Sequence, residues 1–261
     1  MAKFLVEFYS DSLRRSTTFQ VLIPNDSPAG ASRKETAYSR RPMKTLFLLH
    51  GYTGKSGNWV PEDLPGKYNF AVVMPSAENS FYLDGPATGH AFDRFVGVEL
   101  VDYVRKTFGL ARSPEDTYIA GMSMGGFGAV HLAMAHPDRF GKAGALSSAL
   151  IVHEIARMKP GESNAVANYE YYRSCFGDLE TAETRDVNPE VLIRRLRDTG
   201  AKIPDLYLCC GTEDFLIEPN RAFHRFLLEE KIPHEYFESP GEHNMVFWSE
   251  YIVKIVRWMF A

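Results

Sequence analysis

Apolar positions along this chain follow two rhythms. Residues 45–49, 70–74, 118–120, 143–146 and 206–210 are short, unbroken apolar runs that stop at His50-Gly51, Pro75, Gly121, a pair of serines and Gly211. Runs without alternation are expected of strands buried on both faces of a mostly parallel sheet. Residues 3–10 and 17–23 instead alternate, or are β-branched and aromatic, on either side of Asp11-Ser12, which predicts an opening hairpin. Residues 24–43 are rich in Pro, Ser, Arg and Gly and are expected to form an exposed loop.

Helical spacing fills the intervals. In residues 93–108, Val96, Leu100, Val101, Val104 and Phe108 share one stripe, and Gly109 can cap the end. Residues 124–136 are small and apolar, as suits a helix held tightly under a sheet. Pro219 fits the first turn of a helix reaching Lys231, with Phe223, Phe226 and Leu227 inward. Trp248, Tyr251, Ile252, Ile255, Val256 and Met259 recur at helical intervals and predict an amphipathic terminal helix. This strand–helix alternation implies an α/β fold with right-handed crossovers and helices on both faces of the sheet. Residues 152–200 break the rhythm with charge and aromatics. They are expected to be a short helical, cap-like insertion in a single domain spanning 1–261.

Composition narrows the classes of function. The 261 residues are 45% hydrophobic and 24% charged, an ordinary globular balance, with a net charge of −4. No strong basic field exists, which argues against nucleic acid or an anionic membrane surface as a partner. No run of apolar residues is long enough to span a membrane, and the first residues read as a strand and not a signal peptide. The cysteines, Cys175, Cys209 and Cys210, are odd in number and lack paired spacing. They point to free thiols in a reducing cytoplasm and not to disulfides or a metal site.

Ligands of a parallel sheet bind beyond the carboxyl ends of its strands, so residues just after strands carry the candidate chemistry. Gly121-Met122-Ser123-Met124-Gly125 lies between a predicted strand and a predicted helix, the context of a nucleophile elbow. The competing reading is a glycine-rich turn with a spectator serine. A serine needs a base, and the base an orienting acid, expected in the order Ser, Asp or Glu, His. Of the downstream histidines, His131, His136, His224 and His234 fall within or beside helices or at a strand start, and His153 precedes any strand-end acid. His243 sits on a loop after the strand-like residues 235–238. Asp214, with Glu213 as runner-up, follows the run 206–210. The first oxyanion donor should be the N–H of Met124. The second should come from His50-Gly51-Tyr52-Thr53-Gly54, as the N–H of Tyr52 with Gly51 as the fallback.

Leu-Leu-His-Gly-Tyr-Thr-Gly with Asn58-Trp59, then Val-Met-Pro-Ser at 73–76, Gly-Met-Ser-Met-Gly-Gly-Phe-Gly at 121–128, Gly-Thr-Glu-Asp-Phe-Leu at 211–216 and Gly-Glu-His-Asn at 241–244 resemble the esterase D family. Within it, the resemblance is to bacterial tributyrin-esterase-like carboxylesterases, related to feruloyl and acetyl-xylan esterases and S-formylglutathione hydrolases. It runs from the opening hairpin to the last helix. It implies an α/β-hydrolase fold, the triad Ser123, Asp214 and His243, and oxyanion donors at Tyr52 and Met124. It also matches residues 79–84 to a loop beside the cleft, where Asp84 is expected to be structural. Residues 152–200 match nothing that carries over.

The expected activity is hydrolysis of short-chain acyl esters, including acetyl or feruloyl groups on carbohydrates, through an acyl-enzyme, with no metal or organic cofactor. Gly51, Trp59, Phe81, Tyr82, Phe127 and Phe215 are candidates for the lining of the substrate site, with core packing the competing role for the aromatics. Thioester hydrolysis of the S-formylglutathione type is the alternative, and a non-catalytic binding module would require a broken triad. The expected partner is a small acyl ester. Related esterases often associate, which leaves a homo-oligomer open.

Overall fold

The computed structural model describes residues 1–26 and 37–261. Its centre is an eight-stranded sheet in the order β1-β2-β4-β3-β5-β6-β7-β8. The strands are β1 (Ala2–Ser10), β2 (Arg15–Ile23), β3 (Lys44–Leu49), β4 (Phe70–Pro75), β5 (Thr117–Met122), β6 (Lys142–Leu146), β7 (Asp205–Gly211) and β8 (His234–Ser239). β1 pairs antiparallel with β2, and β2 antiparallel with β4, while every pairing from β4 through β8 is parallel. Every residue of β4 and β5 is buried, which is why these segments read as unbroken apolar runs.

The strands send alternate side chains to two apolar layers. Phe47, Leu49 and Ile119 face α3 (Leu100–Phe108), α4 (Met124–Ala135) and α8 (Ile217–Glu229). Leu46, Leu48 and Ala120 face α1 (Asp63–Tyr68) and α9 (Met245–Phe260). Burying one such side chain contributes roughly 1.5–3 kcal/mol, so the two layers supply the driving force that holds helices on both faces.

The helices predicted from spacing are present, with three adjustments. The segment expected over 93–108 begins as α2 (Phe92–Arg94), passes through a π turn (Phe95–Glu99) and continues as α3, ending at Gly109 with φ +67°. The helix expected to reach Lys231 starts at Ile217 and ends at Glu229. In the terminal helix Trp248 is only half-buried, because it packs against the edge of the core and also faces the cleft described below.

The stretch 152–200 holds α5 (Val152–Ile155), α6 (Tyr169–Phe176), a 3-10 segment (Leu179–Thr184) and α7 (Pro189–Thr199). Asn168 and Asn188 cap α6 and α7 by accepting the N–H groups of Tyr171 and Glu190. Each cap is worth about 1 kcal/mol. Part of the loop expected over 24–43, residues 27–36, lies outside the described residues. Of the rest, Arg41 donates to the carbonyls of Tyr68 and Phe260, which ties this connection to the core.

Candidate active site

Ser123 occupies the turn between β5 and α4 with φ 56° and ψ −120°, a backbone conformation that costs a non-glycine residue about 1–3 kcal/mol. The surroundings hold it there. Its N–H donates to the Leu146 carbonyl at 2.9 Å, and its own carbonyl accepts from Phe127 and Ala149 at 3.1 and 3.0 Å. The flanking glycines are steric necessities. A Cβ on Gly121 would collide with the Gly125 backbone, and one on Gly125 would lie 2.6 Å from the His50 carbonyl oxygen. The strand–turn–helix context inferred from sequence is therefore present, and the turn is too crowded for side chains two residues either side of the serine.

Asp214 follows β7 and His243 follows β8, so topology brings three strand ends together. His243 Nδ1 lies 2.9 and 3.0 Å from the two carboxylate oxygens of Asp214, and Nε2 lies 3.0 Å from Ser123 Oγ. A carboxylate only accepts, so Nδ1 carries the proton and Nε2 is free to accept from the serine hydroxyl. Asp214 is 2% exposed. Burial pushes its carboxyl up, but hydrogen bonds from His243, the Leu216 N–H and Ser147 outweigh that and hold it below the ordinary range. The loop carrying His243 is tethered on its far side by Asn244, whose side chain caps α9 through the N–H groups of Val246 and Phe247.

The runner-up acid, Glu213, is exposed and accepts from Gly241 N–H and the Thr212 hydroxyl, away from the imidazole. The other downstream histidines are occupied elsewhere. His136 donates to Asp93 at 2.7 Å, and His131 lies 3.2 Å from the same carboxylate. His153 bridges Glu183 and Glu190 at 2.8 and 2.9 Å. His224 and His234 hydrogen-bond each other at 2.7 Å.

The loop after β3 lies against the serine: a Cβ on Gly51 would be 3.5 Å from that of Ser123. Here the orientation of the Tyr52 N–H is imposed from behind. In a trans peptide the N–H points opposite to the carbonyl. The Gly51 carbonyl, in the same peptide plane, accepts from His50 Nδ1 at 2.9 Å and from Gly54 N–H at 3.0 Å. His50 is held in turn by the Ala77 N–H, which donates to Nε2 at 3.0 Å. Burial pushes the His50 pKa down, against the opposing bond to Gly51, which favours the neutral ring this arrangement requires. Asn79 Oδ1 accepts the Thr53 N–H at 2.7 Å, and Thr53 sits at φ +61°. Met124 opens α4, where the first N–H groups have no intrahelical acceptor.

Ser123, His243, Tyr52 and Met124 line a cavity of about 740 Å³. Of the expected lining, Gly51, Trp59, Phe81 and Phe215 are on its wall. Phe215 is 64% exposed, with its ring 4.6 Å from that of His243. Two expected residues are not on the wall. Tyr82 is fully buried and donates its hydroxyl to the His50 carbonyl at 2.9 Å, so it braces the loop from below. Phe127 is fully buried, stacked on His131 and packed edge-on against Phe81 and Phe176. Asp84 accepts the Arg94 N–H and does not line the cavity, the structural role expected of it.

Sequence reading missed other wall residues. Ile151, Glu154, Asn164, Ala165, Val166 and Tyr172 come from the stretch 152–200 or the residue before it, and Lys55 from the loop after β3. It also missed the brace behind the acid. Trp248 Nε1 donates to Ser147 Oγ at 3.0 Å, and Ser147 helps hold the Asp214 carboxyl below its ordinary range. The two serines ending β6 were the only available signal.

Among the described residues no cluster of three or more His, Cys, Asp or Glu is placed to hold a metal, and no helix is long and apolar enough to cross a membrane. The three cysteines are buried and unpaired.

Comparison with known proteins places the chain among esterases. A family described as "Putative esterase" matches residues 10–259. The chain is 39% identical to the acetyl esterase of Caldicellulosiruptor saccharolyticus over 263 aligned positions, covering 99% of this chain and 98% of that one. Among solved structures, the fluorophosphonate-binding serine hydrolase FphF of Staphylococcus aureus, determined with substrate bound, superposes with a TM-score of 0.84 at 27% identity, covering 100% of this chain and 98% of that one. The S-formylglutathione hydrolase FrmB of Staphylococcus aureus gives 0.81 at 26% identity, covering 100% and 99%. These similarities make the sheet and its helices an α/β-hydrolase-type fold.

Proposed function

Because the chain belongs to the esterase family, we propose that it is a serine carboxylesterase that hydrolyses short-chain acyl esters, with acetyl and feruloyl groups on carbohydrates as its substrate classes. The observation that carries this is the unbroken hydrogen-bond relay from Asp214 through His243 to Ser123 at the wall of the cavity.

In this reading Ser123 Oγ attacks the ester carbonyl while His243 Nε2 takes its proton. The carbonyl oxygen becomes an oxyanion that accepts from the N–H groups of Met124 and Tyr52. Asp214 stays ionised and stabilises the imidazolium. The imidazolium then protonates the departing alcohol, leaving an acyl-serine. Water, deprotonated by His243, attacks the acyl-serine and regenerates the hydroxyl. The helix dipole of α4 adds positive potential where the oxyanion develops.

The test is hydrolysis of p-nitrophenyl acetate, butyrate and octanoate and of methyl ferulate by wild type and Ser123→Ala. Short-chain ester hydrolysis that Ser123→Ala abolishes supports the reading. Activity surviving in Ser123→Ala refutes it.

A second reading, hydrolysis of S-formylglutathione-type thioesters, is favoured by the staphylococcal relative and by Lys55 on the cavity wall, a cation suited to the carboxylates of glutathione. A rate that falls steeply from formyl to butyryl thioesters would select it.

A further inference from the structure

The two edges of the sheet are finished differently. β8 is short, is bracketed by Pro233 and Pro240, and carries His234, Glu235 and Glu238. Proline and charge are the usual devices that keep an edge strand from pairing with another chain. β1 has none of the stronger ones. It runs nine residues, Ala2–Ser10, in continuous register with β2, without proline, glycine or bulge. Among the described residues its outer edge has no neighbour in the sheet.

The two faces of β1 also differ. Phe8 turns inward against Tyr103 of α3, and Phe4, still 39% exposed, lies edge-on to Phe108, with ring centroids 4.5 and 5.6 Å apart. The opposite face presents Lys3, Leu5, Glu7 and Tyr9 in a column, with Leu5 72% and Tyr9 62% exposed. Neither Lys3 nor Glu7 forms an ion pair among the described residues.

We propose that β1 is a dimer interface, pairing antiparallel with β1 of a second copy of this chain about a two-fold axis at Leu5, so that the sheet runs on across both subunits. A two-fold axis perpendicular to the sheet sets each face of β1 against the same face of its mate. Centred on Leu5, it sets Lys3 opposite Glu7 of the partner subunit, Glu7 opposite the partner's Lys3, and the two Leu5 side chains together. On the other face Phe4 meets Val6 of the partner subunit. Other registers lose this complementarity. Centring on Phe4 sets Lys3 against Leu5 and Glu7 against Met1, centring on Val6 sets Glu7 against Leu5 and Lys3 against Tyr9, and centring on Lys3 or Glu7 sets like charges together. The two charges that would blunt this edge in a monomer are therefore self-complementary in one register of the dimer, and opposite charges directly across a strand pair stabilise it.

β1 lies four places from β5 in the sheet order, so the pairing is independent of the chemistry proposed for the cleft. The test is sedimentation velocity and light scattering over a concentration series on wild type, Lys3→Glu, Glu7→Lys and the double charge swap. Melting curves and ester hydrolysis verify that each variant is folded. Wild type should weigh twice its 29.5 kDa chain mass. Each single variant should raise the dimer dissociation constant about tenfold or more, because both symmetric pairs become repulsive. The double swap should restore dimerisation, and rising salt should weaken the wild-type dimer. A monomeric wild type, a dimer indifferent to both single variants, or a double swap no better than the singles would each overturn the proposal.

Discussion

Asn79→Ala isolates one strut of the loop proposed to hold the oxyanion. Asn79 Oδ1 accepts the Thr53 N–H at 2.7 Å, while the Asn79 carbonyl is held separately by the Tyr171 hydroxyl at 2.8 Å and the Cys175 thiol at 3.3 Å. Truncating the side chain therefore frees the Thr53 amide without releasing the backbone at 79. Thr53 sits at φ +61°, a conformation that costs about 1–2 kcal/mol without compensation. The lost hydrogen bond is worth about 1 kcal/mol. At about 1.4 kcal/mol per tenfold, the aligned loop loses roughly fivefold in population. The limit is set by losing a whole oxyanion donor, about 10²–10³ in rate, and the brace of His50 and Gly54 on the Gly51 carbonyl keeps the variant well short of it. We expect kcat/KM on p-nitrophenyl acetate to fall about 5–10-fold, mostly in kcat, because the contact strengthens only in the transition state. The melting temperature should fall by about 2–4 °C. A folded Asn79→Ala enzyme with wild-type kcat would refute the reasoning. A change confined to KM would mean that Asn79 contacts substrate instead.

Asp214→Asn preserves shape but loses the preference for the Nδ1–H tautomer of His243, so kcat should fall about 10⁴-fold, read with the same ester; a small drop would remove Asp214 from the triad. Burial pushes the Asp93 carboxyl up, but His131 and His136 outweigh that and hold it well below the usual carboxylate range. Its folded pKa is thus below the unfolded one, so its contribution to stability is present above the unfolded pKa and is lost as pH falls below it. The melting temperature of Asp93→Asn should accordingly be lower than wild type at pH 7 and converge with it in acid; parallel curves would refute the assignment. His153 behaves oppositely. Burial lowers its pKa, but Glu190 and Glu183 prevail and raise it. Its stabilisation is therefore full below the unfolded value and lost as pH rises through the folded one, so His153→Ala should destabilise most in mild acid and least in alkali, as thermal melts across pH would reveal.

The strands and the three reactive candidates were legible because each leaves a local mark. A two-face-buried strand is an unbroken apolar run, and Ser123 and Asp214 each follow one, while His243 follows the partly exposed edge strand β8 and was marked by its place on the loop before the terminal helix. Tyr82 and Phe127 were misread because an aromatic beside a motif looks the same whether it faces the cleft or lies beneath it. Only the three-dimensional placement of the His50 carbonyl and of Phe81 and Phe176 buries them. The π turn leaves the apolar stripe over 93–108 intact and so has no signature in spacing. The wall contributed by Ile151, Glu154, Asn164 and Tyr172 was invisible for a related reason. The stretch 152–200 docks through long-range contacts, such as His131 Nε2 to the Asp186 carbonyl at 2.9 Å, that no local pattern encodes.

Ser123, Asp214 and His243 all lie outside residues 152–200, while one part of the cavity wall, Glu154, Asn164, Ala165, Val166 and Tyr172, lies within them. In the reading proposed above, the reactive groups and part of the wall that admits substrate are thus written in separate stretches of the gene. Changes confined to residues 152–200 would reshape one part of the wall while leaving the three reactive side chains in place. The same separation makes this segment the natural unit to exchange between relatives, as a cassette, when a new substrate is wanted from an unchanged reaction centre.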